Sequence, residues 1–292
     1  MKSFDLAEPA TLEEAIALLD PADRSVRAIA GGTALMLMMK AQLFQPTRLV
    51  SLRRLNGDLR GIRAKEGGGL RVGAMTSLAE MEYSSMLGGA YPVMSRALRM
   101  LSNIRIRNVA TLGGHLAHGD PHMDLPPILM TLGATISAAG SRGTRWMSVS
   151  ELFLGYYQTS LAKDELITSV DLPGQPSGVC AWYEKFTARS ADDWPTVGVA
   201  VWYALDSNAI TEARIAVSAA TDRPMRVPAA EALLMNAAPT PQVFSKAAGA
   251  AADEVQPIAD LHGSASYKRE MVRVHVRRAL EHALHSRSNG AG

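Results

Sequence analysis

The segment Ala30-Gly31-Gly32-Thr33-Ala34-Leu35, here the first glycine turn, joins a predicted strand, Ser25 to Ala30, to a run of helix formers from Ala34 to about Leu43. Consecutive glycines at such a junction leave backbone amides unobstructed beside the positive end of a helix. Thr33 is the predicted N-cap of that helix. The turn suits an anion such as phosphate, although a Gly-Gly pair between a strand and a helix is more often only a tight turn.

A second segment, Thr111-Leu112-Gly113-Gly114-His115, here the second glycine turn, again combines a hydroxyl residue with a Gly-Gly pair. Two such turns closing from opposite sides suit a pyrophosphate with its two negative centres, which makes a dinucleotide cofactor the natural ligand. No G-x-G-x-x-G motif follows a predicted strand, and no G-x-x-x-x-G-K-[ST] motif occurs. Rossmann and P-loop nucleotide sites are therefore excluded.

The composition is that of a globular protein. The chain has 292 residues, 47% hydrophobic and 20% charged, with a formal net charge of +2, which excludes disordered and coiled-coil classes and favours two or three packed units. The only cysteine, Cys180, is predicted to be a buried apolar residue. One cysteine excludes an internal disulfide and any Cys-ligated iron–sulfur cluster held by this chain alone, so redox work needs an organic cofactor.

Two features bear on cellular location. Asp5 and Glu8 precede any apolar run, unlike a signal peptide, so a cytoplasmic protein is expected. The longest apolar run, Thr196 to Leu205, is far shorter than the ~20 residues that span a bilayer, so no membrane span is expected.

Cap and turn signals divide the chain. Capping boxes at Thr11 to Glu14 and Ser77 to Glu80 predict helix starts, residues 111–127 are predicted to be irregular, and the Pro- and Gly-rich segment 173–178 has a linker composition. The predicted fold class is α+β. Residues 1–176 form a first domain with subdomains of about 1–55 and 56–176, residues 177–285 a C-terminal α+β domain with a small antiparallel sheet and helices, and residues 286–292 a tail.

Several motifs together resemble the flavin-binding medium subunit of molybdenum-containing hydroxylases, the group of carbon monoxide, xanthine, quinoline and nicotine-type dehydrogenases. The resemblance spans nearly the whole chain. It rests on Ala30 to Leu35, on Ile106-Arg107-Asn108-Val109-Ala110-Thr111-Leu112-Gly113-Gly114, and on Gly119-Asp120-Pro121 followed by Asp124-Leu125-Pro126. Asp171-Leu172-Pro173, Lys185 to Val197 and Leu261 to Tyr267 resemble later parts of the same family.

The resemblance implies a two-subdomain FAD-binding domain of the PCMH type with bound FAD. It places the FAD pyrophosphate at the two glycine turns, that is, at Ala30, Gly31, Gly32, Thr33, Ala34 and Leu35 and at Thr111, Leu112, Gly113, Gly114 and His115. It further implies an acid near the nucleotide, Asp124, a backbone contact near Ile167, and a lysine close to the isoalloxazine, Lys185. Trp194 stands where the family brings side chains near the ring.

Each of these residues has an alternative role. Asp124 suits the N-cap of the following helix equally well. Lys185 could be a solvated strand residue, and for Trp194 core packing is favoured over stacking on the flavin. The usual family residue at the position of His115 is Asn, which leaves the contact of His115 open; the resemblance favours noncovalent FAD over a histidyl–flavin bond.

Two further groups of side chains invite other interpretations. His115, His118 and His122 have a spacing that suits one helix face, but neighbouring glycines and a proline argue against a helix there, so a metal site is disfavoured. The last predicted helix carries an arginine stripe, Arg269, Arg273 and Arg277, with Lys268 and Arg278 beside it. A solvated helix face is favoured there over a phosphate or acidic-partner site, and nucleic-acid binding is not expected.

The resemblance also implies partners. A large subunit would carry a molybdenum–pterin centre, a small subunit two 2Fe-2S clusters, and this chain would pass electrons through FAD to an acceptor, within a dimer of heterotrimers. The alternatives are a self-contained FAD-dependent reductase or oxidase and a non-catalytic metal-binding protein. The substrate and the acceptor, whether NAD, a quinone, a cytochrome or oxygen, stay open.

Overall fold

The computed structural model describes residues 3–55, 57–188, 190 and 193–288. Within them the chain has a mixed α+β fold, as predicted, with three larger sheets and a two-stranded ribbon.

The N-terminal unit is a small parallel sheet with two helices. Its elements are β1 (Asp5–Ala7), α1 (Leu12–Leu18), β2 (Val26–Ile29), α2 (Thr33–Lys40) and β3 (Arg48–Ser51). Strand β3 lies between β1 and β2, and both pairings are parallel. Helix α1 begins as predicted, because the Thr11 hydroxyl accepts from the backbone N–H of Glu14. The predicted boundary between subdomains falls at Asn56, which lies outside the described residues.

The second unit is an antiparallel sheet of order β4-β5-β10-β6-β7, covered by helices. Its elements are β4 (Ile62–Ala64), β5 (Leu70–Gly73), α3 (Leu78–Glu82), α4 (Ser85–Ala90), α5 (Pro92–Met100), α6 (Ile104–Arg107), α7 (Leu112–Ala117), α8 (Leu125–Leu132), β6 (Thr135–Gly140), β7 (Gly143–Ser148), α9 (Val149–Leu152), β8 (Phe153–Gly155), β9 (Gln158–Thr159) and β10 (Leu166–Leu172). A 3-10 turn, Gly57–Leu59, precedes β4. The predicted capping box is confirmed at α3, where Ser77 and Glu80 bond reciprocally.

The third unit is a four-stranded antiparallel sheet with three helices. Its elements are β11 (Val179–Phe186), β12 (Val197–Asp206), β13 (Ala209–Ser218), β14 (Met225–Arg226), α10 (Pro228–Leu234), α11 (Pro241–Glu254) and α12 (Ala265–Ser288). Helix α12 runs three residues into the predicted tail, whose residues 289–292 lie outside the described part of the chain. No helix in the described residues is both long and apolar enough to cross a bilayer.

One buried cluster joins the second and third units. It contains Val72 and Ile136 of the second sheet, Ile128 of α8, and Ala200 and Trp202 of β12. Helix α8 is therefore packed between two sheets, and the chain just before it lies beside β11.

The prediction that residues 111–127 are irregular is wrong in part. Helix α7 occupies Leu112–Ala117 and includes both Gly113 and Gly114. Propensity disfavours glycine in helices, but the Thr111 cap and tertiary packing outweigh a penalty of about 1 kcal/mol per glycine.

Candidate cofactor-binding site

The first glycine turn follows β2 and opens α2. Gly32 has a left-handed backbone, with φ of +69°, and is the N-cap of α2, so the prediction that Thr33 caps this helix is wrong. Thr33 is instead the first helical residue. No side chain of the described residues caps α2, so the first-turn amides of Thr33, Ala34 and Leu35 lack a capping acceptor and are available to a ligand.

The second glycine turn differs in its hydrogen bonding. The Leu112 amide donates to the Thr76 carbonyl at 3.0 Å and the Gly113 amide to the Ala74 carbonyl at 2.8 Å. The Gly114 amide donates to the Thr111 hydroxyl at 3.2 Å. Backbone amides of this turn are thus used within the chain. The expectation that both turns offer free amides to an anion is wrong for these three amides of the second turn, and it stays a prediction for the first turn.

The two turns lie in direct contact although they are about eighty positions apart. A β-carbon on Gly31 would stand 1.9 Å from the Val109 carbonyl oxygen, just before the second turn. A β-carbon on Gly114 would stand 3.5 Å from that of Ala30. Glycine at position 31 is therefore required by backbone packing between the turns.

Gly113 is fixed by a similar close approach. Its β-carbon would lie 2.6 Å from the β-carbon of Ala74. Ala74 also connects the second turn to β10, since its amide donates to the Thr168 carbonyl at 2.9 Å. Ile167, the preceding residue, is buried and lies at a register shift between β10 and β6. The structure thus brings Ile167 to the same neighbourhood as the second turn.

His115 is buried on α7, and its Nε2 atom has no hydrogen-bond partner among the described residues. Burial, helped by nearby His118, lowers the pKa of His115 to about 3, although Asp120 acts in the opposite direction. The imidazole is therefore neutral at pH 7. A buried polar atom without a partner costs about 1–3 kcal/mol, and a bound ligand could supply the missing bond.

The three histidines of this region do not converge. His122 Nδ1 lies 2.8 Å from an oxygen of Asp120, and its Nε2 lies 3.3 Å from an oxygen of Asp260. Burial lowers the pKa of His118. No cluster of three or more His, Cys, Asp or Glu side chains suited to a metal exists in the described part of the chain.

Asp124 and Lys185 form a buried pair. Lys185 Nζ donates to Asp124 Oδ2 at 3.3 Å and to the Met100 carbonyl at 3.1 Å, and the Tyr183 hydroxyl donates to Asp124 Oδ1 at 2.7 Å. The Lys185 side chain is only 4% exposed, so its interpretation as a solvated strand residue is wrong. Asp124 occupies the N-cap position of α8, but its side chain makes no capping bond within the described part of the chain.

Trp194 is 50% exposed, which contradicts the favoured prediction that it packs in the core. Its ring lies roughly parallel to that of His122, with centroids 6.2 Å apart. Trp194 therefore stands at the surface beside the Asp120–His122 pair, on the loop between β11 and β12. Arg189, Ala191 and Asp192 of the same loop lie outside the described residues.

Two members of the arginine stripe of α12 pair with acids of this chain, and Arg269 donates to the Ala252 carbonyl. Arg273 lies 3.1 Å from Glu270, and Arg277 lies 4.0 Å from Glu281, in pairs that are about half exposed. The solvated helix face is thus confirmed for these two residues. Lys268 does not belong to that face, because its side chain is 1% exposed and donates to Asp260 at 2.6 Å. Cys180 is buried, as predicted.

Residues 2–175, which contain the small parallel unit and the antiparallel unit that meet through the two glycine turns, match a class of FAD-binding domains. The family described as "FAD binding domain in molybdopterin dehydrogenase" matches residues 2–175, and the family described as "CO dehydrogenase flavoprotein C-terminal domain" matches residues 182–283.

Several known proteins are similar to this chain along nearly its full length. The nicotine 6-hydroxylase medium subunit of Paenarthrobacter nicotinovorans is 36% identical over 95% of this chain and 96% of its own. A chain of the carbon monoxide dehydrogenase structure from Hydrogenophaga pseudoflava superimposes with a TM-score of 0.93 at 34% identity, covering 97% of this chain and 98% of that one. A chain of quinoline 2-oxidoreductase from Pseudomonas putida 86 superimposes with a TM-score of 0.90 at 29% identity, covering 98% of this chain and 99% of that one.

The chain therefore belongs to the FAD-binding medium subunits of the molybdenum hydroxylase family, of the carbon monoxide and xanthine dehydrogenase type, and is an oxidoreductase subunit. Tyr183, which donates to Asp124, and Gly198, beside it, were missed by sequence analysis, because no local motif links them to the glycine turns.

Proposed function

We propose that this chain is the electron-transfer subunit of a heterotrimeric molybdenum hydroxylase, and that its two glycine turns hold FAD. The observation that carries the proposal is the contact between the turns, with Gly31 against Val109 and Gly114 beside Ala30. The first-turn amides of α2 would bind the pyrophosphate, and the second turn, packed against the first, would help to hold them in place.

The residues present fit FAD in two respects. The first-turn amides of α2 have no side-chain cap, and the orphaned Nε2 of His115 can give or accept one hydrogen bond. The residues proposed to hold the cofactor are Ala30, Gly31, Gly32, Thr33, Ala34, Leu35, Thr111, Leu112, Gly113, Gly114, His115, Asp124, Ile167, Lys185 and Trp194. The second turn contributes packing and His115 more than free amides.

Bound FAD would supply the capacity to take up and release electrons that the amino acids lack. Lys185 would place a positive charge beside it from a buried position, where charge interactions are stronger than in water. Asp124 would balance part of that charge. Trp194, half exposed beside His122, would cover one side of the site.

Partner subunits are proposed from the relatives. Matching proteins are named as medium chains or medium subunits of carbon monoxide dehydrogenase and nicotine 6-hydroxylase, which supports a large and a small partner subunit. We propose that the large subunit carries a molybdenum–pterin centre and the small subunit two 2Fe-2S clusters. The single cysteine of this chain supports the same division. We propose a dimer of such heterotrimers in the cytoplasm, with domains 1–176 and 177–285 in this subunit.

Co-purification tests this function. Affinity-tagged chain, expressed in its native host, should bring down two companions, one cysteine-rich, in a yellow-brown complex that contains FAD, molybdenum and iron. The isolated chain should hold FAD but lack hydroxylase activity. A yellow chain that purifies alone from the native host and turns over NADH with quinone or oxygen would instead support a self-contained reductase or oxidase.

A further inference from the structure

A buried hydrogen-bonded triad connects α8 to β11. Tyr183 and Lys185 are two positions apart on β11, so their side chains point to the same face of the sheet. Both reach Asp124, Tyr183 through its hydroxyl at 2.7 Å and Lys185 through its ammonium at 3.3 Å. Each carboxylate oxygen of Asp124 thus receives one donor.

The triad lies out of water. The Tyr183 residue is 2% exposed, and the side chains of Asp124 and Lys185 are 7% and 4% exposed. Burial raises the pKa of Asp124, while Lys185 and then Tyr183 act in the opposite direction. Burial together with Asp124 raises the pKa of Tyr183 well above its usual value, so Tyr183 stays a neutral donor.

Gly198 provides the room for this arrangement. It faces Lys185 in the β11–β12 register and Ser218 in the β12–β13 register. A β-carbon at this position would stand 2.8 Å from the Tyr183 hydroxyl oxygen and 2.5 Å from Ser218 Oγ. Glycine inside a strand weakens the strand and often marks a close approach of this kind.

We propose that Tyr183 is a positioning residue that keeps Asp124 ionised and paired with Lys185, and thereby sets the net charge that this pair presents to the bound flavin. Gly198 makes the contact possible. The proposal rests on the proposed function, since it takes Lys185 to lie near FAD.

The expected effect follows from the charge balance. Without the Tyr183 hydroxyl, the buried Asp124 carboxylate loses one of the two donors that it has among the described residues and takes up a proton more readily. The charge of Lys185 is then no longer balanced. A cation near the flavin favours the reduced over the oxidised cofactor, so the midpoint potential rises.

The test compares three variants, Tyr183→Phe, Asp124→Asn and Gly198→Ala, with the control Tyr203→Phe. In Gly198→Ala the Tyr183 hydroxyl is still present, but the new β-carbon displaces it from Asp124. Tyr203 is also buried and donates to the Leu280 carbonyl in the core of the third unit. The readout is the midpoint potential of bound FAD in the purified complex as a function of pH.

We expect Asp124→Asn to raise the potential at pH 7, and Tyr183→Phe and Gly198→Ala to raise it by a smaller amount. A tenfold change in the ratio of the affinities for reduced and oxidised FAD corresponds to about 30 mV for a two-electron couple. The control should keep the wild-type potential.

A second readout needs no cofactor. In the FAD-free chain, Tyr183→Phe should destabilise more at pH 7 than at pH 4, because its penalty falls on the ionised carboxylate, and Tyr203→Phe should destabilise equally at both. Potentials of Tyr183→Phe that match Tyr203→Phe, together with a pH-independent loss of stability, would overturn the proposal. Wild-type protein that binds no FAD would overturn the proposed function, whereas the FAD-free readout would still test the triad.

Discussion

Gly31 lies so close to Val109 that a β-carbon on Gly31 would stand 1.9 Å from the Val109 carbonyl oxygen. The approach is backbone to backbone, so no side-chain rotation can relieve it. It joins the first glycine turn to the residue two positions before the second glycine turn, and so fixes the distance between the two turns.

Replacing Gly31 by Ala should therefore separate the turns and abolish FAD retention. The matched control is Gly89→Ala on α4, where a β-carbon meets nothing within 4 Å. We expect the control to keep stoichiometric FAD, measured by absorbance after release from the purified protein. A folded Gly31→Ala protein with full FAD content would show that the contact is not needed for binding.

His115 should contribute one hydrogen bond to the bound cofactor. His115→Asn keeps a hydrogen-bond donor, so this variant should bind FAD with an affinity within a few-fold of wild type. His115→Leu should weaken FAD binding about tenfold or more, because the cofactor atom left without its hydrogen-bond partner costs about 1–3 kcal/mol. Titration calorimetry measures both. Because His115→Leu removes a buried polar atom that has no partner among the described residues, the FAD-free variant should be no less stable than wild type. Equal FAD affinities of His115→Asn and His115→Leu would contradict a hydrogen bond from His115 to the cofactor.

The same histidine predicts acid sensitivity. The pKa of His115 is about 3 in the folded chain, below its ordinary value of 6.5, so the unfolded state binds the proton first. The titration of His115 therefore leaves the free energy of unfolding unchanged above pH 6.5. As the pH falls from 6.5 toward 3, it lowers the free energy of unfolding by up to about 1.4 kcal/mol per pH unit. Denaturant unfolding at several pH values should show a shallower decline for His115→Asn. Parallel curves would contradict the assignment.

A buried ion pair lies close in sequence to the second glycine turn, at the end of α6. Arg107 donates to Glu82 at 2.8 Å, with both side chains about 10% exposed, and to the carbonyls of Leu101 and Ser102. Glu82→Gln leaves the guanidinium unbalanced and should lower the free energy of unfolding by about 3 kcal/mol. Glu8→Gln, which breaks the exposed pair with Arg54, should cost under about 1 kcal/mol. Equal losses would contradict the difference in burial.

Sequence reasoning worked best where the signal is local. The capping box at Ser77 depends on residues three positions apart and forms as predicted. At Thr11 only half of the predicted box forms: the hydroxyl accepts from the Glu14 amide, but the Glu14 carboxylate accepts from the Ala10 amide instead. The preference of N-caps for hydroxyl residues predicts Thr33 as the cap of α2, which is wrong because Gly32 adopts a left-handed backbone and takes that position. Helix α7 was missed because its two glycines are held by packing rather than by propensity.

Contacts distant in the chain could not be predicted. The bond from Tyr183 to Asp124 joins residues 59 positions apart, and Gly198 matters only through the sheet register that places it beside Tyr183. The family resemblance supplied Asp124 and Lys185 as separate contacts, whereas only the packing of α8 on the third sheet makes them a pair.

The most direct test of the account is a calorimetric titration of the FAD-free chain with FAD, with FMN, and with ADP as a competitor. If the two glycine turns bind the pyrophosphate, FAD should bind one to one, ADP should compete with it, and FMN, which has a single phosphate and no adenylate half, should bind far more weakly. FMN that binds as tightly as FAD, or ADP that fails to compete, would contradict the account.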